Sequence, residues 1–95
     1  MTSDDEPVRI PIDGVLDLHA FRPAEVKDLV EEYLEECRRK GIDHVRIIHG
    51  KGTGTLRQIV LSLLKKNPNV LSYRAADLGG GSWGATEVVL KPDKN

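Results

Sequence analysis

Apolar side chains recur at helical spacing in two stretches of the chain. The first stretch begins near Pro23 and ends before Gly41, with the apolar positions three or four residues apart, as on the buried side of an amphipathic helix. The second predicts a helix over 55–66 that ends before Asn67-Pro68, because the residue before a proline avoids helical geometry. The two apolar stripes consist of Val26, Leu29, Val30, Tyr33, Leu34 and Cys37, and of Leu56, Ile59, Val60, Leu63 and Leu64.

Shorter runs, alternating or rich in β-branched residues, predict four strands near 15–19, 44–49, 70–75 and 86–91. Helices join the first three strands, and right-handed β-α-β crossovers make such strands parallel. The last strand follows a glycine-rich segment over 77–84, which we interpret as a mobile, hairpin-like loop, so this strand should run antiparallel. The order β-α-β-α-β-β therefore predicts an α/β fold of the two-layer α+β type, a four-stranded mixed sheet with both helices on one face.

The length of the chain, 95 residues, allows one domain. We place this domain at 14–91, between a flexible acidic tail over 1–13 and a short tail over 92–95. Within the first tail, 8–12 alternates weakly and is a candidate edge strand, since Pro11 cannot donate a hydrogen bond to a central ladder.

The composition is that of a soluble globular protein, with 39% hydrophobic and 31% charged residues. The sequence has no apolar run long enough for a membrane span and no signal-peptide pattern, so we expect a cytoplasmic protein that does not bind membranes. Cys37 is the only cysteine, which excludes an intramolecular disulfide, and its place on the apolar stripe predicts a buried side chain. No Cys or His cluster has the spacing of a structural zinc site.

The charge of the chain is small overall but unevenly distributed. The formal net charge is −1, yet residues 1–37 contain three basic and eleven acidic residues, a net charge of −8. Residues 38–95 contain eleven basic and four acidic residues, a net charge of +7. Local patches attract a polyanion more than net charge does, so the second half is the candidate surface for nucleic acid, although such sorting is also found on ordinary solvated faces.

A glycine-rich turn, His49–Gly54, joins the second strand to the second helix. Free N–H groups at a helix start, together with the helix dipole, favour an anion such as phosphate. The turn matches neither a Walker loop, because Gly50-Lys51 is followed by glycine, nor a dinucleotide fingerprint, because Thr55 stands where the third glycine belongs. The alternative is a plain connection between strand and helix.

Asp17 and His19 alternate with leucines on the first strand and so share one face of it. Their spacing lets the carboxylate contact the imidazole and fix its tautomer, although polar residues on a strand are often only its solvent face. His49 ends the second strand, and ligands of open α/β sheets gather at the carboxyl ends of parallel strands. The two histidines are therefore expected at one site.

Three motifs in this order resemble those of the Smr domain, the small MutS-related module, and in particular its stand-alone members. They are Leu-Asp-Leu-His-Ala at 16–20, His-Gly-Lys-Gly at 49–52 and Gly-Gly-Ser-Trp-Gly-Ala-Thr at 80–86, and the likeness covers roughly 14–91. Ala20 stands where the family usually has glycine. The resemblance implies nucleic-acid binding, endonuclease or nicking activity in several members, and a fold similar to the C-terminal domain of bacterial translation initiation factor three.

The first functional hypothesis is an endonuclease that acts on RNA or structured DNA. In this hypothesis Asp17 holds His19 as general acid or base, and His49 is the complementary acid. No cofactor is expected, and a divalent metal is an alternative that the sequence does not indicate, because Asp17 is the only obvious carboxylate at the site. This favours RNA cleavage through the 2′-hydroxyl. The residues predicted to bind the phosphate or nucleic acid are Gly50, Lys51, Gly52, Thr53, Gly54, Arg57, Gly81 and Trp83.

A second hypothesis is a binding module without catalysis, in which the same turn grips phosphates and Trp83 stacks on a base. Trp83 fits equally well as a lid over the core. A third and more remote hypothesis is a protein-interaction adaptor that uses the acidic first helix. In each nucleic-acid hypothesis the expected partner is RNA or structured DNA, and self-association or a protein partner is a means of targeting so small a domain.

Overall fold

The computed structural model describes residues 11–50, 54–78 and 81–92, with the backbone alone described at 77–78 and 81–83. Six elements follow one another in the predicted β-α-β-α-β-β order. They are β1 (Val15–Asp17), α1 (Pro23–Arg39), β2 (His44–Ile48), α2 (Thr55–Lys66), β3 (Val70–Leu78) and β4 (Gly81–Leu90).

The strands form one mixed sheet in the order β1-β2-β4-β3. β1 is parallel to β2, and β4 is antiparallel to both of its neighbours, so β1, β2 and β3 share one direction. The predicted strand directions are therefore confirmed. β4 lies between β2 and β3, with Ile47 paired to Leu16 on one side and to Thr86 on the other.

The glycine-rich segment predicted as a mobile loop over 77–84 belongs largely to the sheet, so this prediction was wrong. Asp77 pairs with Ser82 and Leu78 with Gly81, after a register shift that follows Ala75. Backbone ladder bonds do not depend on the burial of side chains, so the β3–β4 pairing can extend beyond the buried core. Gly79 and Gly80 lie outside the described residues.

Other boundaries differ by small amounts. β1 ends at Asp17 and β2 at Ile48, two and one residues earlier than predicted. Within the candidate edge strand over 8–12, Pro11 and Ile12 are not in a strand, and its first three residues lie outside the described part of the chain.

Both helices cover the same face of the sheet, as predicted. α1 and α2 contact each other, and one hydrophobic cluster draws on both helices and on β1, β2 and β4. Cys37 is fully buried in this cluster, which confirms its predicted place. The buried members are Leu16, Leu18, Val26, Val30, Tyr33, Leu34, Cys37, Val45, Ile47, Val60, Leu64, Val88 and Leu90.

Tyr33 joins α1 to the start of β1 through its phenolic hydroxyl. This hydroxyl accepts a hydrogen bond from the backbone N–H of Gly14 at 3.0 Å and donates to the carbonyl of Val15 at 3.0 Å. A buried tyrosine hydroxyl needs such partners, because an unpaired polar group in the core costs stability. The contact holds β1, and with it the first candidate site residues, in register.

Among the described residues, neither helix combines the length and the hydrophobicity needed to cross a membrane.

Candidate functional site

Asp17 and His19 are in direct contact at the end of β1. The backbone N–H of His19 donates to Asp17 Oδ1 at 3.0 Å, and His19 Nδ1 lies 2.8 Å from the same oxygen. An ionised carboxylate only accepts hydrogen bonds, so Nδ1 carries the proton and Nε2 of the neutral ring is left with a free lone pair. The His19 side chain is 75% exposed. This geometry presents a proton acceptor to the solvent.

The Asp17 carboxyl is ionised at neutral pH. Its pKa lies below the ordinary value, first because the backbone N–H of His19 donates to it and second because the His19 ring does so. The pair thus has the elements of a general base with a fixed orientation.

His49, immediately after β2, has a very different environment. The residue is only 5% exposed, with Nε2 2.9 Å from Thr86 Oγ1 and Nδ1 3.2 Å from the Gly50 carbonyl. A carbonyl can only accept, so we assign the ring proton to Nδ1 and the hydroxyl of Thr86 as the donor to Nε2. Both ring nitrogens are therefore occupied. Burial lowers the pKa of His49, against the hydrogen bond to the Gly50 carbonyl, which raises it, and the nearby Arg57 charge lowers it further. The ring is therefore neutral at neutral pH.

Gly84 attaches the start of the glycine-rich turn to β4. Its carbonyl accepts the N–H groups of His49 at 2.7 Å and Gly50 at 2.8 Å. Gly84 has a φ of +66°, and a Cβ there would lie 2.5 Å from the carbonyl oxygen of Gly50, so only glycine allows this approach. The third motif therefore holds the second motif in place. The Gly-Ala-Thr segment is one of the three sequence motifs, but the sequence predicted no role for Gly84 or Thr86.

The start of α2 is open to an anion. Its N-cap is Gly54 with a φ of +91°, a residue without a side chain to cap the helix, and its first turn has no acidic residue. α1 differs, since Glu25 accepts the Arg22 N–H at 3.0 Å in its first turn. Arg57 adds an exposed cation to the start of α2. Uncapped N–H groups and a nearby cation are the features that bind phosphate at helix N-termini.

The structure brings some of the predicted site residues together. Asp17 pairs with Ile48 in the parallel β1–β2 ladder, so His19 and His49 leave neighbouring strands at the same edge of the sheet. Lys51, Gly52 and Thr53 lie outside the described residues. The backbone of the predicted contacts Gly81 and Trp83 lies in β4, and the structure does not describe the Trp83 side chain.

The part of the chain that the structure describes contains no group of three or more His, Cys, Asp or Glu side chains that could hold a metal ion.

Comparison with known proteins assigns this arrangement to a family. Residues 16–91 match the family profile of the Smr domain. The chain is 46% identical over 76 residues to endonuclease MutS2 of Bacillus mycoides and 38% identical over 80 residues to endonuclease MutS2 of Clostridium botulinum. These matches cover 80% and 84% of the chain but 10% of each relative, so the chain spans about a tenth of their length.

Two crystal structures share the fold. The Smr domain of Thermus thermophilus MutS2 has a TM-score of 0.77 and 39% identity, and the match covers 84% of this chain and all of that domain. YdaL, a stand-alone small MutS-related protein from Escherichia coli, has a TM-score of 0.75 and 27% identity over 82% of this chain and 64% of its own. The chain is thus homologous to the Smr portion of MutS2 endonucleases.

Proposed function

We propose that this chain, which belongs to the Smr domain family, binds nucleic acid and cleaves its phosphodiester backbone by acid–base chemistry. The observation that carries the proposal is the Asp17–His19 contact, which engages Nδ1 of an exposed His19 side chain and reserves Nε2 as the nitrogen that can accept a proton. Phosphate binding alone has no need of a carboxylate that fixes a histidine tautomer. The name of the MutS2 relatives, endonuclease, is consistent with this chemistry.

RNA is the substrate that this single base fits best. His19 Nε2 would accept the proton of a 2′-hydroxyl while the 2′-oxygen attacks phosphorus. The P–O5′ bond breaks, which leaves a 2′,3′-cyclic phosphate on one product and a 5′-hydroxyl on the other once the leaving oxygen takes a proton. Asp17 holds the ring and stabilises its charged form during the step.

Charge on the phosphate would be balanced at the start of α2. The helix dipole at the start of α2, where the N-cap Gly54 has no side chain, and the exposed guanidinium of Arg57 supply positive potential there. Lys51, Gly52 and Thr53 extend this phosphate site in the proposal, on the chemistry of their residue types. Stabilising charge that develops on the phosphoryl oxygens is among the largest contributions to such reactions.

His49 has a different part in the proposal from the one predicted. The prediction made it the complementary acid, but its ring is buried and bonded at both nitrogens. These contacts favour a positioning role, in which His49 and Thr86 hold the turn against β4. The proton of the leaving oxygen then comes from solvent.

The test is cleavage of labelled single-stranded RNA, hairpin RNA and branched DNA, with and without EDTA, by the wild type and by His19→Ala. The chain offers a matched control in His44, which is 78% exposed with Nδ1 2.9 Å from Asp43 Oδ1. His44 is the first residue of β2, so it lies at the end of the strand opposite to the site. The proposal expects His19→Ala to lose activity and His44→Ala to keep it. Equal cleavage by His19→Ala and the wild type would contradict it.

The second candidate function is a binding module without catalysis. It is favoured by the open start of α2, which needs no histidine to hold a phosphate. Salt-sensitive binding of the same oligonucleotides, with no product in any of the cleavage assays, is the result that would select this alternative.

A further inference from the structure

The two helices that cover the sheet carry opposite charge. α2 contains three cations, Arg57, Lys65 and Lys66, and no acidic residue. α1 contains six acidic residues and three cations, a net charge of −3. All three cations of α2 are exposed. A polyanion at the shared edge of the sheet is therefore attracted along α2 and repelled from α1.

The cations of α1 and α2 also differ in their partners. Each cation of α1 faces a carboxylate of its own helix, with Arg39 2.6 Å from Glu36 as the closest pair. Within the described ranges, Arg57, Lys65 and Lys66 form no ion pair with an acidic side chain. Their charge is thus available to an external anion.

Helix electrostatics account for only part of this arrangement. Lys65 and Lys66 lie in the last turn of α2, where cations stabilise the helix dipole. Arg57 lies in the first turn, where a cation opposes the dipole. The arginine therefore does not stabilise its own helix, and an anion at that end would remove the conflict.

The spacing of these cations suits a nucleic-acid strand. Arg57 and Lys65 are eight residues apart, which is about 12 Å along the helix and about 80° around it. Phosphates of one strand of a duplex advance about 3.4 Å per nucleotide along the axis, so the interval corresponds to about three or four nucleotides. α2 begins beside the turn, so this track continues directly from the proposed cleavage site.

We propose that the exposed surface of α2 from Arg57 to Lys65 and Lys66, the α2 track, extends the contact with the phosphate backbone of the bound nucleic acid beyond the proposed cleavage site. The inference rests on the proposed function and adds to it the length of nucleic acid that the domain contacts. Phosphate contacts of this kind position a strand and carry no base preference. The track therefore determines how long a substrate must be to bind well, and not which sequence is bound.

The experiment compares two probes that resist 2′-attack, a trimer and a 12-mer of 2′-O-methyl uridine, by fluorescence anisotropy at several salt concentrations. The variant is Lys65→Ala/Lys66→Ala. The control is Lys27→Ala/Arg39→Ala, which removes the same charge from paired residues of α1. Lys65→Arg/Lys66→Arg tests whether charge is sufficient. Melting temperatures of all variants are measured in parallel.

The α2 variant should bind the 12-mer about tenfold more weakly at low salt, with a salt slope lower by about 1.4, since each single-strand contact contributes about 0.7. Binding of the trimer should change less than about twofold, as should both probes with the control. The arginine variant should bind like the wild type. Unchanged 12-mer affinity, an equal loss in the control, or an equal loss with the trimer would overturn the α2 track.

The two proposals fail in distinguishable ways. A wild type that cuts no substrate but shows the length-dependent effect of Lys65 and Lys66 would overturn the proposed cleavage and support the α2 track. A wild type without salt-sensitive binding to either probe would overturn both. Length-dependent binding of an acidic peptide, with none of RNA, would assign the surface to a protein partner and overturn the α2 track.

Discussion

The chain contains two successive strand–helix units, and their histidines lie in opposite environments. The β1–α1 unit presents His19 to solvent beside an ionised Asp17 and continues into a capped, acidic helix. The β2–α2 unit buries His49 against Thr86 and continues into an uncapped, basic helix. His19 lies two residues after the end of β1, and His49 lies one residue after the end of β2. In the proposed function, the first histidine serves proton transfer and the second attaches a phosphate-binding turn. Surroundings, and not residue type, decide what a histidine can do.

The largest expected effect separates the two histidines directly. His19→Ala should lower the cleavage rate about a hundredfold or more, equivalent to about 2.7 kcal/mol of activation free energy, because a general base is lost. Its melting temperature should stay near that of the wild type, since the ring is exposed. His49→Ala should instead lower the melting temperature, because a buried, bonded ring is removed.

Cleavage kinetics and thermal melting of the two variants are the measurements. A His49→Ala protein that melts like the wild type and still cuts about a hundredfold more slowly would reverse the comparison. It would return His49 to the role of complementary acid.

The next effect concerns the contact between the turn and β4. Gly84→Ala should destabilise the fold by about 2 kcal/mol, because the new Cβ meets the Gly50 carbonyl while φ stays positive. Gly41→Ala is the matched control, since Gly41 has a φ of +81° but no atom lies within 4 Å of the place its Cβ would take. Chemical denaturation of both variants measures the difference. Equal destabilisation would show that backbone strain alone matters and that the close approach does not.

A smaller effect is expected from the hydroxyl that Thr86 donates to His49. Thr86→Val keeps the shape of the side chain but leaves the buried Nε2 without a donor, at a cost of about 1–2 kcal/mol. Thr86→Ser retains the hydroxyl and should lose less stability than the valine variant. The free energy of unfolding in denaturant measures both, and the reverse order would remove the hydrogen bond from its supporting role.

The smallest effect is a difference between His49 and Asp17 in how their titration changes the stability of the fold with pH. The pKa of His49 is lowered in the fold, so below about pH 6.5 the unfolded chain binds a proton that the folded chain does not. Stability should therefore fall as the pH drops below about 6.5, and His49→Gln should remove this part of the dependence. The pKa of Asp17 is also lowered, so its contribution is fully present above about pH 4 and is lost as the pH falls through the lowered value.

Unfolding free energies of the wild type, His49→Gln and Asp17→Asn between about pH 3 and pH 7.5 would separate the pH range in which His49 acts from the range in which Asp17 acts. The slope of stability against pH should differ between His49→Gln and the wild type below about pH 6.5, and between Asp17→Asn and the wild type below about pH 4. A wild type and His49→Gln whose curves stay parallel below about pH 6.5 would contradict the lowered pKa, and with it the buried, neutral state, of His49.

Short-range patterns in the sequence were enough to predict the helices, the strand directions and one contact of the site. The boundaries Pro23–Arg39 and Thr55–Lys66 follow from apolar spacing, a proline near one start and a proline after one end. The Asp17–His19 contact joins residues two apart on an extended chain, so it needs no tertiary partner. The family was evident for a similar reason, because its three motifs are short and continuous.

Only the tertiary structure decided the strand order, the length of the β3–β4 pairing and the state of His49. Thr86 is 37 residues from His49, and Gly84 meets Gly50 only because β4 lies between β2 and β3. Periodicity reports which face of an element is apolar, but it does not report which strand lies beside it. The exposure of a polar side chain depends on those neighbours, and so the sequence showed two similar histidines where the fold made one exposed and one buried.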